Sequence, residues 1–309
     1  MQNEMIVLAG PTAVGKTETA IRLAEALGCE IISADSRQVY SEMEIGTAAP
    51  TTEELKRARH HMVRCRTVEN PMNAFDYEQS VMRILPGAFE RGNGRAILTG
   101  GSMMYVDAVL RGIDEMPDIP EELRSELKEE LESRGLAWMQ ERLRTMDPEY
   151  YKTGDMKNPR RVLHAIELCI VSGRPASALR SGNTKRRPFR ALKLAAMRPR
   201  EELYERIELR VDRMMEAGLE QEAGRLVRYS HLTPLNTVGY REMFAYLNGE
   251  YPREEAIRLI KRNTRHYAKK QLTWIKADGE YEPISPVDTA AALKIIEKFS
   301  LENLDNKIR

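Results

Sequence analysis

The sequence predicts an α/β protein in which helices flank a parallel sheet, with a helical insertion inside that core. Three observations support this prediction. Apolar strand-like segments alternate with helical ones over the first 114 residues, a glycine-rich loop joins the first strand to the first helix, and helical composition begins near residue 116. With 309 residues the chain is long enough for about two domains.

The elements of the first part follow from short apolar runs between polar, helix-forming segments. A parallel sheet covered on both faces requires this alternation, because each crossover between parallel strands needs a helix. Strands are predicted at Met5–Ala9, Glu30–Ser33 and Arg95–Thr99, and helices at Glu18–Leu27, near Thr52–Arg59 and around Tyr77–Glu90.

The second part begins where Pro117 and Pro120 precede Glu121–Arg134, a segment rich in Glu, Leu, Lys and Arg that predicts a helix. Helices are expected to continue as far as Leu179. After a polar, basic break at Ser181–Pro188, the run Ala191–Met197 returns to strand-like composition. We therefore predict a catalytic core formed by residues 1–114 and 191–309, interrupted by a helical insertion at 115–190.

Composition restricts the function classes. The 48 basic and 47 acidic residues nearly cancel, so any surface for a polyanion must be local. Cys29, Cys65 and Cys169 are widely spaced, which argues against a disulfide framework and a zinc site. No apolar run approaches the ~20 residues that span a bilayer, and no signal segment is recognised. The expected location is the cytoplasm, without membrane contact.

The segment Gly10–Thr17 matches the pattern G-x-x-x-x-G-K-[ST] between a predicted strand and a predicted helix, which is the P-loop arrangement. Backbone N–H groups and the positive end of the helix dipole converge there, so a di- or triphosphate should bind. Lys16 adds a positive charge, and the Thr17 hydroxyl suits Mg²⁺. The predicted diphosphate-binding residues are Gly10, Pro11, Thr12, Ala13, Val14, Gly15, Lys16 and Thr17.

A second segment, Glu30–Tyr40, places Asp35 and the polar residues Ser36, Arg37 and Gln38 just after a buried strand. Ligands of open α/β sheets bind outside the carboxyl ends of the strands, so Asp35 is positioned to meet a substrate. Two alternatives stay open from the residues alone: Asp35 could cap a following helix, or it could bind Mg²⁺ as a Walker-B aspartate does.

A third segment ends the strand Arg95–Thr99 with Gly100, Gly101 and Ser102. Two glycines permit close backbone approach, and the helix expected to begin at Ser102 could present free N–H groups to an anion. The same pattern also fits a simple tight turn.

A fourth segment, Tyr251–Trp274, predicts a helix with one basic face formed by Arg258, Arg262, Arg265 and Lys269. A one-sided basic helix in a near-neutral protein suits a phosphate backbone. A solvated face is the alternative.

Together these segments resemble the bacterial tRNA dimethylallyltransferases, also called tRNA isopentenyltransferases. Ser102 stands where that family usually has Thr, and Lys270 where Arg is common. The matching motifs span nearly the whole chain: Gly10–Thr17, Asp35–Tyr40, Ile45–Ala48, His60-His61, Gly100–Tyr105, Asn158–Arg161, Val238–Arg241 and Thr264–Trp274.

The resemblance implies transfer of a dimethylallyl group from dimethylallyl diphosphate to N6 of the adenosine immediately 3′ of the anticodon, position 37. The tRNAs concerned read codons that begin with U. Lys16 and Thr17, the latter through Mg²⁺, would stabilise the diphosphate leaving group, and Asp35 would take the amine proton.

The resemblance also implies an extruded adenine and a gripped anticodon stem-loop, with one chain supplying every part as a monomer. Residues expected near the adenine are Asp35, Ser36, Arg37, Gln38, Gly101 and Ser102. Those expected to contact the RNA backbone are Arg124, Arg160, Arg161, Arg241, Arg265, Lys269 and Lys270.

Three other functions remain compatible with the motifs. An adenylate isopentenyltransferase would act on free nucleotide, but it would need neither the insertion nor the basic helix. A P-loop kinase or NTPase acting on small molecules would consume ATP without tRNA. A non-catalytic RNA-binding protein is disfavoured because Lys16, Thr17 and Asp35 are all present.

Overall fold

The computed structural model describes residues 2–179 and 184–305, and the polar break predicted at Ser181–Pro188 lies partly outside them. The strands are β1 (Asn3–Ala9), β2 (Glu30–Ser33), β3 (His60–His61), β4 (Arg95–Thr99), β5 (Phe189–Ala196) and β6 (Glu282–Ile284). The helices are α1 (Lys16–Leu27), α2 (Thr52–Arg57), α3 (Ala74–Arg91), α4 (Met103–Arg111), α5 (Glu121–Met146), α6 (Pro148–Thr153), α7 (Pro159–Ser172), α8 (Ala176–Leu179), α9 (Arg200–Glu216), α10 (Leu219–Leu226), α11 (Tyr240–Leu247), α12 (Arg253–Asp278) and α13 (Thr289–Asp305).

The chain divides into two compact units, Met1–Arg111 with Arg186–Arg309 and Gly112–Lys185. The first contains a six-stranded sheet, within the described residues, in the order β3-β2-β4-β1-β5-β6. Every neighbouring pair of strands is parallel. The predicted α/β fold class is thus confirmed.

The core of this first unit forms where the alternating side chains of the strands meet helices. Ile6 and Leu8 of β1 share a buried cluster with residues of α1, α9 and α13. Because side chains alternate along a strand, Met5 and Val7 face the other side of the sheet, and they are fully buried too. Helices on both faces explain why β1 is apolar from Met5 to Ala9.

Three loops that follow β1, β2 and β4 lie at one edge of the sheet. These strands are neighbours and parallel, so their carboxyl ends meet at the same edge. The loops begin at Gly10, Ala34 and Gly100. The phosphate loop, Asp35 and the Gly-Gly pair are therefore brought together by sheet topology alone.

Several predicted bounds need correction. The strands β2 and β4 lie as predicted, whereas β1 and β5 each begin two residues earlier. The predicted helix Thr52–Arg59 ends at Arg57, because the chain continues into the unpredicted strand β3. The strand β6 was also missed, since two or three residues are too few to show a periodicity.

The second unit contains α5 to α8, packed around Leu127, Met139, Val162 and Ile166. The helix predicted at Glu121–Arg134 ends in effect at Gly135, whose left-handed φ of 78° interrupts α5 before a second helical segment continues to Met146. Glycine tolerates this conformation without the steric cost of a Cβ atom.

Candidate active site

The phosphate loop connects β1 to α1 through two glycines that the local geometry requires. A Cβ atom on Gly10 would lie 2.8 Å from the Ala196 carbonyl oxygen, and Gly15 has a left-handed φ of 112°. Lys16 Nζ donates hydrogen bonds to the carbonyl oxygens of Gly10 and Pro11, at 2.9 and 2.8 Å. The ammonium group is thus held against the loop that the motif predicts.

Lys16 lies in an environment that disfavours its charge. Burial, with a further contribution from the Arg210 guanidinium, lowers the pKa of Lys16 to about 7, and Asp35 opposes the shift. Burial also lowers the pKa of Arg210, again against the influence of Asp35. Two cations and one carboxylate therefore lie within electrostatic reach of one another, and an added anion would relieve the repulsion between the cations.

Two further arginines contact the phosphate loop, Arg198 from just before α9 and Arg206 from within that helix. Arg198 Nε donates to the Val14 carbonyl oxygen and Arg206 Nε to that of Ala13, each at 2.8 Å. Arg198, Arg206 and Arg210 are not among the residues predicted from the sequence. They lie more than 180 residues from the loop, within or just before a helix rich in charged residues, so nothing local distinguishes them.

Asp35 is engaged through one of its two carboxylate oxygens. Its Oδ1 accepts hydrogen bonds from the N–H groups of Arg37, at 2.9 Å, and Gln38, at 3.3 Å. These bonds stabilise a turn, and no helix begins there, so Asp35 does not cap a helix and that alternative is wrong. The second oxygen, Oδ2, points towards Gly101, where a Cβ atom would lie 3.5 Å away.

The Gly-Gly pair is required by neighbouring protein groups. A Cβ atom on Gly100 would lie 2.2 Å from the Ala34 carbonyl carbon and oxygen, and one on Gly101 would lie 2.7 Å from Gln271 Nε2. The N–H group of Ser102 donates to the Ala34 carbonyl oxygen at 3.0 Å. That N–H group is therefore used within the fold and differs from the free anion-binding donor that we expected.

Gln271 of α12 links the phosphate loop to the Gly-Gly turn. Its Oε1 accepts from the N–H group of Thr12 at 2.8 Å, and its Nε2 donates to the Gly101 carbonyl oxygen at 2.9 Å. The Tyr267 hydroxyl donates to the same carbonyl oxygen at 2.9 Å. Gln271 is 2% exposed. Its place on the buried face of a basic helix was the sequence feature that could have identified it.

A cavity of about 800 Å³ lies over these loops within the first unit. Its lining brings together Lys16, Thr17, Asp35, Gln38 and Gly101, as predicted. Loop 44–51 and helix α9 form the rest of the lining, with residues that were not predicted to belong to the site. Among the described residues, Ser36, Arg37 and Ser102 do not belong to the lining. The lining residues on loop 44–51, on α9 and directly after that helix are Glu44, Ile45, Ala48, Ala49, Pro50, Thr51, Arg206, Leu209, Arg210, Arg213, Met214 and Ala217.

Gln38 differs from its expected role at the adenine. Its Nε2 donates to the carbonyl oxygens of Thr47, at 3.3 Å, and Ala48, at 3.2 Å. Its Oε1 accepts a long hydrogen bond from the Ser33 hydroxyl at 3.4 Å. Gln38 therefore supports the wall of the cavity and has little remaining capacity for a base.

A divalent cation at this site would need ligands beyond the protein. Thr17 and Asp35 offer a hydroxyl and a carboxylate in one cavity, and no group of three or more His, Cys, Asp or Glu side chains that could hold a metal occurs in residues 2–179 and 184–305. These residues fit Mg²⁺, which takes few protein ligands and completes its shell with phosphate oxygens and water.

The basic face of α12 is partly neutralised. Arg258 pairs with Glu255 at 2.6 Å, and Arg265 pairs with Glu208 at 2.8 Å. Lys269 and Lys270 are exposed, and neither has an acidic partner within the described chain. Arg241, on α11, is 53% exposed on its side chain. Of the predicted RNA contacts in the first unit, these two lysines are the most available to a phosphate backbone.

The second unit carries the remaining predicted RNA contacts. Arg124 lies on α5, half exposed, 3.7 Å from Glu121. Arg160 and Arg161 begin α7 and line an open cavity together with His164, where Arg161 donates to Asp155 at 3.2 Å.

No helix in the described part of the chain is long and apolar enough to cross a membrane.

Fold and site together define a P-loop α/β enzyme whose phosphate loop faces a carboxylate across a cationic cavity. The family model described as IPP transferase matches residues 38–278. The chain therefore belongs to the IPP transferase family, and the predicted enzyme class, a prenyl transferase, is confirmed.

Individual relatives agree over almost the full length. The tRNA dimethylallyltransferase 1 of Bacteroides thetaiotaomicron is 47% identical over 300 residues, covering 97% of this chain and 96% of the relative. The solved full-length tRNA isopentenylpyrophosphate transferase of Bacillus halodurans is 32% identical, with a TM-score of 0.71 and coverage of 99% and 98%. A eukaryotic dimethylallyltransferase acting on tRNA, 24% identical with a TM-score of 0.80, shares the fold over 97% of this chain and 80% of its own. The predicted activity is the one for which the first two are named, and none of the other functions is favoured.

Proposed function

We propose that the protein transfers the dimethylallyl group of dimethylallyl diphosphate to N6 of adenosine 37, immediately 3′ of the anticodon, in tRNAs that read codons beginning with U. One observation supports the proposal most directly: the phosphate loop and Asp35 line the same cavity, whose volume of about 800 Å³ leaves room for a diphosphate and an extruded base. Membership in the IPP transferase family supports the same reaction.

The cationic side of the cavity would bind the diphosphate. Lys16, Arg206 and Arg210 line it beside the N–H groups of the loop. As the bond from the allylic carbon to the diphosphate oxygen breaks, negative charge grows on the diphosphate, and these groups stabilise it most where it grows. Mg²⁺, bound with help from Thr17, would supply further positive charge to the leaving group.

Asp35 would take the proton lost by the attacking amine. The adenine N6 atom forms a bond to the allylic carbon while the carbon–oxygen bond to diphosphate breaks, and one N6 proton moves to the Asp35 carboxylate. Oδ1 is committed to the turn, so Oδ2 is the oxygen available as base. General base assistance of this kind typically contributes about 10²–10⁴-fold in rate.

The base must leave the anticodon stack to reach this cavity, at a cost of a few kcal/mol. Contacts of Lys269, Lys270, Arg241 and Arg265 with the RNA backbone would offset that cost, with Arg124, Arg160 and Arg161 of the helical unit contributing as well. Every part of the site comes from one chain, which favours a monomer, and the reaction on tRNA favours the cytoplasm.

The test is to incubate the protein with labelled dimethylallyl diphosphate, Mg²⁺ and unmodified tRNA, then digest the RNA and locate the label. Label on the adenosine 3′ of the anticodon is the expected result. Parallel reactions with AMP as acceptor and with ATP alone identify the two competing activities. Alkylated AMP or consumed ATP, with unlabelled tRNA, would overturn the proposal.

A further inference from the structure

A buried carboxylate outside the reaction centre holds one wall of the cavity. Glu222 of α10 is 3% exposed, and it accepts hydrogen bonds from three successive backbone N–H groups, those of Glu44, Ile45 and Gly46, at 3.0, 2.8 and 2.8 Å. Hydrogen bonds to an ionised acceptor are about twice as strong as neutral ones. Three of them fix the position of this short segment.

Tyr240 of α11 completes the arrangement. Its hydroxyl donates to Glu222 Oε1 at 2.6 Å, and burial together with the Glu222 charge raises the pKa of Tyr240, which keeps the hydroxyl protonated as a donor. The ring lies so close to Gly46 that a Cβ atom there would be 2.7 Å from ring carbons. The motifs Ile45–Ala48 and Val238–Arg241 therefore meet at this carboxylate.

The other side of the segment faces the reaction centre. The Thr47 carbonyl oxygen accepts from Arg210 Nη2 at 3.1 Å as well as from Gln38. Ile45, Ala48 and Ala49 line the cavity together with Leu209 and Met214 of α9 and with Ala217, which follows that helix. Ile45, Ala48 and Ala49 thus form an apolar wall beside Glu44 of the same loop, and the segment that carries this wall is joined by one hydrogen bond to an arginine of the proposed diphosphate site.

We infer that Glu222, supported by Tyr240, is a positioning residue that fixes this apolar wall and so limits the length of prenyl chain that the enzyme accepts. The inference rests on the proposed donor. A dimethylallyl group has five carbons, and the next longer allylic diphosphate, the geranyl compound, adds five more. Glu222 accepts four hydrogen bonds, three from the segment that carries the wall and one from Tyr240. The wall cannot retreat for a longer chain without breaking the three bonds from the segment, because close-packed walls resist added volume.

The first test compares dimethylallyl and geranyl diphosphate as donors for the wild type and Glu222→Gln. The glutamine has the shape of glutamate, but its amide nitrogen meets N–H or O–H donors where an oxygen accepted before. We expect the ratio of kcat/KM for the short donor to that for the long donor to fall at least about tenfold, the range in which apolar pockets discriminate chain length. The KM for tRNA should stay unchanged.

Glu4→Gln is the matched control, since Glu4 is another buried carboxylate with hydrogen bonds, from Arg95 and Ser300, but at the opposite end of β1. It should lower thermal stability and leave the donor ratio unchanged. Tyr240→Phe removes one of the four hydrogen bonds and keeps the ring, so it should shift the ratio less than Glu222→Gln.

A steric clash gives a second measurement. Gly46→Ala, whose new methyl group would meet the Tyr240 ring, should impair discrimination. Equal loss of kcat/KM for both donors in Glu222→Gln, with an unchanged ratio, would overturn the inference and leave Glu222 a stabilising residue only. A wild type inactive with dimethylallyl diphosphate would refute the proposed function instead.

Discussion

Replacing Asp35 separates its two roles, turn stabilisation and proton acceptance. Asp35→Ala removes the acceptor of two half-buried N–H groups, those of Arg37 and Gln38. Lost hydrogen bonds to a charged acceptor should lower the free energy of unfolding by about 2 kcal/mol. Asp35→Asn keeps an oxygen at the Oδ1 position, so its loss of stability should remain below about 1 kcal/mol.

The rates should follow a different order from the stabilities. Neither asparagine nor alanine accepts a proton, so both variants should lose about 10²–10⁴-fold in the transfer step, or about 3–5 kcal/mol of barrier. The affinity for tRNA should stay within about threefold, which is less than 1 kcal/mol.

The assay is a single-turnover measurement with the variant and tRNA preassembled and labelled donor added last, so that product release does not limit the rate. Thermal unfolding and filter binding on the same preparations report stability and tRNA affinity. An Asp35→Asn enzyme that transfers the prenyl group at nearly the wild-type rate would refute the base assignment and leave Asp35 as the residue that holds the turn.

Three further predictions concern charge and positioning. Burial and Arg210 lower the pKa of Lys16 to about 7, and a bound diphosphate should raise that pKa, so donor binding should take up nearly one proton at pH 8, where about nine-tenths of Lys16 is neutral, and little at pH 6. Calorimetry in buffers of different ionisation enthalpy measures the proton uptake, and the Lys16→Met variant corrects for protons taken up by the donor itself. Equal uptake at both pH values would contradict the prediction. Gln271→Leu leaves the Thr12 N–H group without its acceptor and the Gly101 carbonyl oxygen with Tyr267 as its remaining side-chain donor. The KM for the donor should therefore rise about tenfold, the equivalent of 1.4 kcal/mol. Steady-state kinetics with varied donor test this, and an unchanged KM would show that the link is dispensable. Replacing Lys269 and Lys270 together with alanine should reduce the slope of log affinity for tRNA against log salt by about 1.5, with donor KM unaffected; an unaltered slope would remove both lysines from the RNA contact.

The fold could be predicted largely because its signals are local. An apolar run such as Glu30–Ser33, bounded by polar turns, is recognisable within a few residues, and it lies where predicted. The strand β3 spans only His60 and His61 and owes its existence to pairing with β2. A strand of this length forms through pairing with its neighbour and is too short to show a hydrophobic pattern in the sequence.

The residues of the site also differ in whether a local sequence signal identifies them. Lys16, Thr17 and Asp35 belong to contiguous motifs and line the cavity as predicted. Arg210, Gln271 and Glu222 act over separations of more than 160 residues, among dozens of similar charged and amide side chains. Their burial, which distinguishes them, exists only once the helices have packed.

The position of β1 in the sheet has a consequence for synthesis on the ribosome. β1 pairs on one side with β4 and on the other with β5, and about 90 residues separate these two partners in the chain. At a synthesis rate of about 5–20 residues per second, β1 remains without β5 for roughly 5–20 s. During that time the backbone N–H and C=O groups on one side of this apolar strand have no pairing partner. Unpaired edges invite association with other chains. We therefore expect the nascent protein to need protection, by a chaperone or by the ribosome surface, until residues 189–196 emerge and close the centre of the sheet.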